Sequence, residues 1–368
     1  MQPVKVLLVD DSLFMRNSLK KILDVPSIQI IDTAVNGKEA IEKNLALNPD
    51  LILLDIEMPV MNGLDALKQI MASNPVPVLM FSTLTQDGAE ETIQSLSLGA
   101  LDFVPKQSSY FDVSQAKDEL IKKIVALGSN KFLKANLKAK FANKTPKQVE
   151  PPQKQEQFKL QIAAPNYQTA KKRPKATDIK IVCIGISTGG PVALQEVIPH
   201  IPPDFPVPIL IVQHMPPLFT ESLANRLDQN SYIHVCEAKD GENLKSGIVY
   251  IAKGGVQMKV TSRNTIVLSN DHPDELFKPS VNVLMNSVVD VYHDKAVGVI
   301  MTGMGSDGRD GLQKLADAGG YVIAQQPETC VVAGMPNSVI EAKIAHEIQP
   351  LKNIAGTLNS LFSSLPPQ

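Results

Sequence analysis

Long apolar runs are missing from this sequence. No stretch reaches the ~18 residues that a membrane span needs, so a transmembrane helix is not expected. The N-terminal MQPVKVLLVDD has too short an apolar stretch, broken by Asp10 and Asp11, to act as a signal peptide. Cysteine is scarce. Cys183, Cys236 and Cys330 are odd in number and far apart, which gives neither a disulfide framework nor a metal-ligand spacing. Cys183 and Cys236 fall in apolar, strand-like runs, where a thiol is usually a small core residue. Tryptophan is absent and aromatics are 5% of the chain. Together these absences make the cytoplasm the default compartment.

What is present is ordinary for a soluble globular protein: 368 residues, 43% hydrophobic and 20% charged. That length suggests about two to three domains. The net charge of −2 hides a pattern. Residues 1–127 carry −6, residues 128–178 carry +9 and residues 179–368 carry −5. A basic segment between two acidic ones reads as domain, linker, domain.

In residues 1–127, apolar strands alternate with amphipathic helices. VKVLLVD, IQIIDTA, LILLD, VPVLMFS and ALDFVPK are the strands, and Met15, Leu19, Ile22 and Leu23 show the helical spacing between the first two. Nearly continuous apolar strands mean burial on both faces, as in a parallel sheet covered by helices. Asp10 and Asp11 end the first strand, Asp55 the third, Ser82 the fourth and Lys106 the fifth. Ligands of open α/β sheets bind outside these carboxyl ends. Clustered carboxylates repel unless a cation joins them, and a hard divalent ion such as Mg²⁺ suits oxygen ligands. LLVDDS, LILLDIEMPVMNGLD, VLMFST and GALDFVPK resemble a response-regulator receiver domain. The resemblance implies a flavodoxin-like, five-stranded parallel sheet. It also implies Asp55 as phosphoacceptor, Asp10 and Asp11 as Mg²⁺ holders beside Asp55, and Ser82 and Lys106 as readers of the phosphate. Gln107 departs from the proline usual after this lysine.

Residues 128–178 contain five prolines and no sustained apolar period. TPKQVEPPQKQEQ and TAKKRPKATD read as solvated and disordered, a solubilising tether. KFLKANLKAKFANK, with Phe132, Leu133, Leu137 and Phe141 roughly on one side, reads as an extension of the last receiver helix. Its positive charge would also suit an anionic membrane or an acidic receptor surface.

From Asp178 onward the pattern is α/β again, mostly parallel with some antiparallel strands. Its Gly-rich IGISTGGP poses a choice between a phosphate cradle and a nucleophilic serine. The glycine spacing is wrong for a dinucleotide fingerprint, the next strand ends in Gln213-His214 rather than an acid, and no Walker lysine follows Gly190. The serine reading gains from the same facts. Ser187 sits where a strand gives way to a helix, His214 ends the next strand, and Asp307 lies in the loop GMGSDGRDG after the strand Ala296–Met301. Asp310 lies in the first turn of the following helix and is the other acid in that loop. Free amides in the loop offer an oxyanion site. The order Ser, His, Asp differs from the common α/β-hydrolase order of Ser, acid, His.

GISTGGP, VQHMPPLFTESLANRL, AKDGENLKSGIVYIAKGG, KPSVNVLMNSV, MTGMGSDGRDGL and AQQPETCVVAGMPNSVI resemble the catalytic domain of the chemotaxis protein-glutamate methylesterase (CheB) family. The resemblance implies a doubly wound α/β domain at 179–368 with Ser187 as nucleophile, His214 as base, Asp307 as orienting acid and the backbone at Met304 as oxyanion donor. It implies no cofactor for the esterase. The substrates would be glutamate methyl esters and glutamines of chemoreceptors, the phosphodonor a chemotaxis histidine kinase, and membrane association indirect, through the receptors. Ile186, Lys278 and Asn282 depart from residues usual in the family, the latter two at positions expected to touch receptor. A receiver-linked transcription factor would need a basic helix-turn-helix, which an acidic α/β domain does not offer, so no DNA partner is expected. A catalytically dead adaptor would not need the intact Ser, His and Asp set.

Overall fold

The structure, a computed structural model, describes residues 2–106, 113–142, 173–272 and 274–363. Gln107 and the stretch 143–172, which holds most of the expected tether, lie outside the described residues.

The first domain runs β1 (Val4–Val9), α1 (Leu13–Ile22), β2 (Ile28–Ala34), α2 (Gly37–Leu47), β3 (Leu51–Asp55), α3 (Gly63–Ser73), β4 (Val78–Thr83), α4 (Gln86–Leu98), β5 (Asp102–Lys106), α5 (Val113–Gly128) and α6 (Lys131–Ala142). The sheet order is β2-β1-β3-β4-β5 with every pair parallel, the flavodoxin-like arrangement. The LILLD of β3 is buried along its whole length, as a central strand covered on both faces must be. Short polar side chains start the helices. Asn36 accepts from the Glu39 N–H, Asn62 from Asp65 and Thr85 from Gly88, which satisfies donors that a helix start leaves open. The KFLKANLKAKFA segment does not continue α5. It forms α6, a separate helix that folds back on the domain, with Leu137 buried and Lys134 Nζ donating to Asn48 Oδ1 and the Pro49 carbonyl at the end of α2.

The second domain runs β6 (Ile181–Ile186), α7 (Gly190–Val197), β7 (Ile209–Gln213), α8 (Phe219–Asn230), β8 (His234–Glu237), β9 (Ile248–Ile251), β10 (Gln257–Val260), β11 (Ile266–Ser269), α9 (Val281–Tyr292), β12 (Ala296–Ile300), α10 (Arg309–Asp317), β13 (Tyr321–Gln325), α11 (Gly334–Glu341), β14 (Glu347–Gln349) and α12 (Leu351–Ser360). Seven strands form one parallel sheet in the order β14-β13-β12-β6-β7-β9-β8, and β10 and β11 pair as a separate antiparallel hairpin. The chain winds one way from β6 to β7 and the other way through β12, so β6 is the switch point, where ligands of such sheets bind.

The α4–β5 side of the first domain packs against α7 and α8 of the second. The Phe103 and Phe219 rings stack at 4.5 Å. Ser97 Oγ donates to Gln195 Oε1 at 2.8 Å and accepts from Arg226 Nη2 at 3.4 Å. No helix among the described residues is long and apolar enough to cross a membrane.

Candidate active site and phosphoacceptor pocket

Ser187, His214 and Asp307 follow three adjacent strands, β6, β7 and β12. Register sets Ile186 beside Gln213 and Gly185 beside Ile300, so the chain leaves all three strands at one edge. Backbone and side-chain bonds fix the turn at Ser187. Its N–H donates to the Thr302 carbonyl at 2.9 Å, and its carbonyl accepts from Gly190 N–H at 2.7 Å and from Gln213 Nε2 at 2.9 Å. Gly189 turns the chain at φ +74°, a left-handed conformation that suits glycine, and starts α7. On the other side, a Cβ at Gly303 would lie 2.8 Å from Ser187 Cβ and 2.2 Å from Met335 Sδ, so only glycine lets the β12 loop come this close.

His214 Nε2 lies 2.8 Å from Asp307 Oδ2. Asp307 is nearly buried and sits on the N-terminus of α9. It accepts from Val281 N–H at 2.7 Å, Asn282 N–H at 3.0 Å and Ser280 Oγ at 3.0 Å. Burial pushes the Asp307 carboxyl up, but the bonds from His214, Val281 and Asn282 outweigh it and hold it below the usual carboxylate range. An ionised Asp307 can only accept, so His214 presents Nε2–H to it, and in the neutral tautomer that fits this bond Nδ1 is the acceptor. Nδ1 is buried with no hydrogen-bond partner among the described residues, which leaves it available to take a proton. No hydrogen bond joins Ser187 Oγ to His214 among the described residues. Such bonds often tighten only with substrate in place.

Other expected residues fall as follows. Met304 lies between Gly303 and Gly305 in the loop that approaches Ser187, and its N–H donates to no other described residue. Asp310 is in the first turn of α10 and pairs with Arg309 in solvent, apart from the His214–Asp307 pair. Ile186 is fully buried, and the Cβ-free Gly190 leaves room for its side chain. Asn282, expected to touch receptor, turns inward instead. Its Oδ1 accepts from Gly308 N–H at 3.1 Å and Gly311 N–H at 2.9 Å, which ties α9 to the Asp307 loop. Sequence reasoning missed Gln213 as an anchor of Ser187, Ser280 as a partner of Asp307, and Phe277, whose ring stacks on His214 at 4.1 Å.

In the first domain, Asp10, Asp11 and Asp55 bring carboxylate oxygens within 4.8 Å of one another. Asp10 and Asp55 are buried and Asp11 is exposed. Lys106 Nζ lies 2.6 Å from Asp55 Oδ2 and 3.1 Å from Asp10 Oδ2. Burial pushes the Asp55 carboxyl up to about 6, against the opposing pull of Lys106. Lys106 thus offsets the charge of both buried carboxylates. An all-oxygen, net-negative cluster of this size fits a hard divalent cation. Ser82 Oγ, at the neighbouring strand end, donates to the Gly88 carbonyl at 3.1 Å, toward α4.

Comparisons with known proteins find a match for each domain. The family model described as CheB methylesterase matches residues 182–358, and that described as response regulator receiver domain matches residues 6–118. A protein-glutamate methylesterase/protein-glutamine glutaminase of Vibrio parahaemolyticus is 41% identical over 96% of this chain and 97% of its own length. The chain belongs to the CheB family. A CheB-family relative of the same description from Symbiobacterium thermophilum is 42% identical over 97% of this chain and 96% of its own. The solved CheB methylesterase catalytic domain of Thermotoga maritima is 45% identical and covers 50% of this chain and 98% of that one, at a TM-score of 0.49.

Proposed function

We propose that this CheB-family protein is a phosphorylation-regulated protein-glutamate methylesterase and protein-glutamine deamidase that resets chemoreceptors during sensory adaptation. The observation that carries the reading is the buried His214–Asp307 pair beside the Ser187 turn, with an imidazole nitrogen that has no partner among the described residues. Ser187 Oγ attacks the side-chain carbonyl carbon of a glutamate methyl ester as His214 Nδ1 takes its proton. Asp307 stabilises the imidazolium through Nε2. The negative charge on the carbonyl oxygen is met by backbone N–H groups, with Met304 as the donor we assign. The C–O bond to methoxide breaks, His214 returns the proton, and methanol leaves. Water then attacks the acyl-serine, with His214 as base again, and frees the glutamate. With glutamine the geometry is the same and ammonia leaves.

In the receiver, Asp55 accepts the phosphoryl group from a chemotaxis histidine kinase. Mg²⁺, held by Asp10, Asp11 and Asp55, would offset the charge of the incoming group. Lys106 and Ser82 then turn from their present partners toward the phosphate. The α4–β5 side rests on α7 and α8, the helices that begin just beyond Ser187 and His214, so phosphorylation acts by loosening this contact. The protein works in the cytoplasm and meets the membrane through its receptor substrates.

Two experiments test the reading. A fluorophosphonate probe should label Ser187, and labelling should speed up with a phosphodonor. Asp55→Ala should keep slow basal labelling and lose the acceleration. Acceleration that persists in Asp55→Ala would remove the regulatory part of the proposal.

A further inference from the structure

The partner of the His214 ring face is an aromatic ring, not part of the Ser, His and Asp set. Phe277 lies parallel to His214, with ring centroids 4.1 Å apart and planes inclined by 4°. Neutral aromatic pairs favour offset or edge-on contacts at ~4.5–7 Å. A closer parallel pair suits a ring that becomes cationic over a π face. The surroundings show that Phe277 is placed deliberately. It is half-buried in a solvent-facing segment whose neighbour Leu276 is 69% exposed, so the hydrophobic core does not hold it there. A buried glutamine does. Gln257 Nε2 donates to the Phe277 carbonyl at 2.8 Å, and Gln257 Oε1 accepts from Ser280 N–H at 2.8 Å. Ser280 Oγ in turn donates to Asp307 at 3.0 Å. One fully buried amide therefore fixes the ring beside the base and the hydroxyl beside the acid in a single bracket.

We propose that Phe277 is a positioning residue for ester hydrolysis: its ring face holds the His214 imidazole in plane and stabilises the imidazolium formed when His214 takes the Ser187 proton. This rests on the triad reading above. Because proton transfer from Ser187 to His214 creates the imidazolium as the transition state forms, Phe277 should act on kcat and leave KM alone.

The test uses the full chain with a phosphodonor and methylated receptor membranes. Phe277→Leu should lower kcat by about three- to tenfold, the range of a partly desolvated cation–π contact, with KM unchanged. Phe277→Tyr should restore the rate. Replacing Phe277 with mono-, tri- and pentafluorophenylalanine nearly keeps the ring's shape while removing the negative face, and kcat should fall stepwise. A structural packing role would not follow fluorination. A flat fluorination series, or a loss confined to KM, overturns the inference. Ser187→Ala and His214→Gln, run alongside, separate the two claims. If both are inactive while the Phe277 series is flat, only the inference fails. If either is active, the triad reading fails and the inference falls with it.

Discussion

Asp307→Asn probes the most connected side chain of the site. The carboxylate accepts four donors: His214 Nε2 and Val281 N–H on Oδ2, Ser280 Oγ and Asn282 N–H on Oδ1. An amide keeps one acceptor oxygen, so either orientation turns an NH₂ toward two of these donors. If it faces Oδ2's partners, His214 must offer a bare Nε2 and carry its proton on Nδ1, the tautomer that cannot take a proton from Ser187. If it faces Oδ1's partners, Asn282 N–H is orphaned and the imidazolium still loses its counter-charge. Bonds to charged groups contribute about 1.5–3 kcal/mol each, and two lose their acceptor, so a stability loss of about 3 kcal/mol or more is expected. Methanol release should fall about 10³–10⁴-fold, the usual effect of neutralising a triad acid. The acid limb carries a further sign. A carboxylate held below its unfolded value contributes stability that is present above about pH 4 and lost as pH falls through the folded value. Urea melts of the wild type should therefore weaken on acidification, and Asp307→Asn should flatten that dependence. A variant within tenfold of wild-type turnover, or one equally stable at neutral pH, would refute the reasoning.

Three further outcomes follow from the packing. Gly303→Ala forces a Cβ to within 2.8 Å of Ser187 Cβ and 2.2 Å of Met335 Sδ, so esterase activity should collapse while receiver phosphorylation, followed by phosphate incorporation, is unchanged. Ser97→Arg sets a bulky cation against Arg226 in the contact between domains, so basal turnover without phosphodonor should rise several-fold and further activation should shrink. Asp102→Ala leaves Lys123, buried and 3.2 Å from the lost carboxylate, with Glu119 at 3.3 Å as its remaining counter-charge, and differential scanning calorimetry should show the receiver destabilised by about 1–3 kcal/mol.

The parts of the structure legible in the sequence are those where local pattern and global fold agree. Buried parallel strands appear as apolar runs, and functional groups at their carboxyl ends stand out because a charge or hydroxyl ends each run. Asp10, Asp55, Lys106, Ser187 and His214 all carry that signal. Three elements of the second domain carry little of that signal. β10 and β14 are short and largely polar, QMKV and EIQ, and α11 contains Pro336 and begins at Gly334. α12 is different, because Leu351, Ile354, Ala355 and Leu358 do show the helical spacing and were open to the same reasoning. The supports of the site were hidden for another reason. Gln257, Phe277 and Ser280 come from a hairpin and its exit loop, away from any strand end of the main sheet, and only the tertiary fold brings them to His214 and Asp307. Asn282 shows the same limit. Its position suggested a surface contact, while its side chain closes the loop that carries Asp307.

The central claim is that Ser187 hydrolyses glutamate methyl esters on chemoreceptors. Methanol release from radiolabelled, methylated receptor membranes tests it most directly, with wild type and Ser187→Ala compared with and without a phosphodonor. The account predicts release by wild type that rises with the phosphodonor and none by Ser187→Ala. Release by Ser187→Ala at a substantial fraction of the wild-type rate would contradict it.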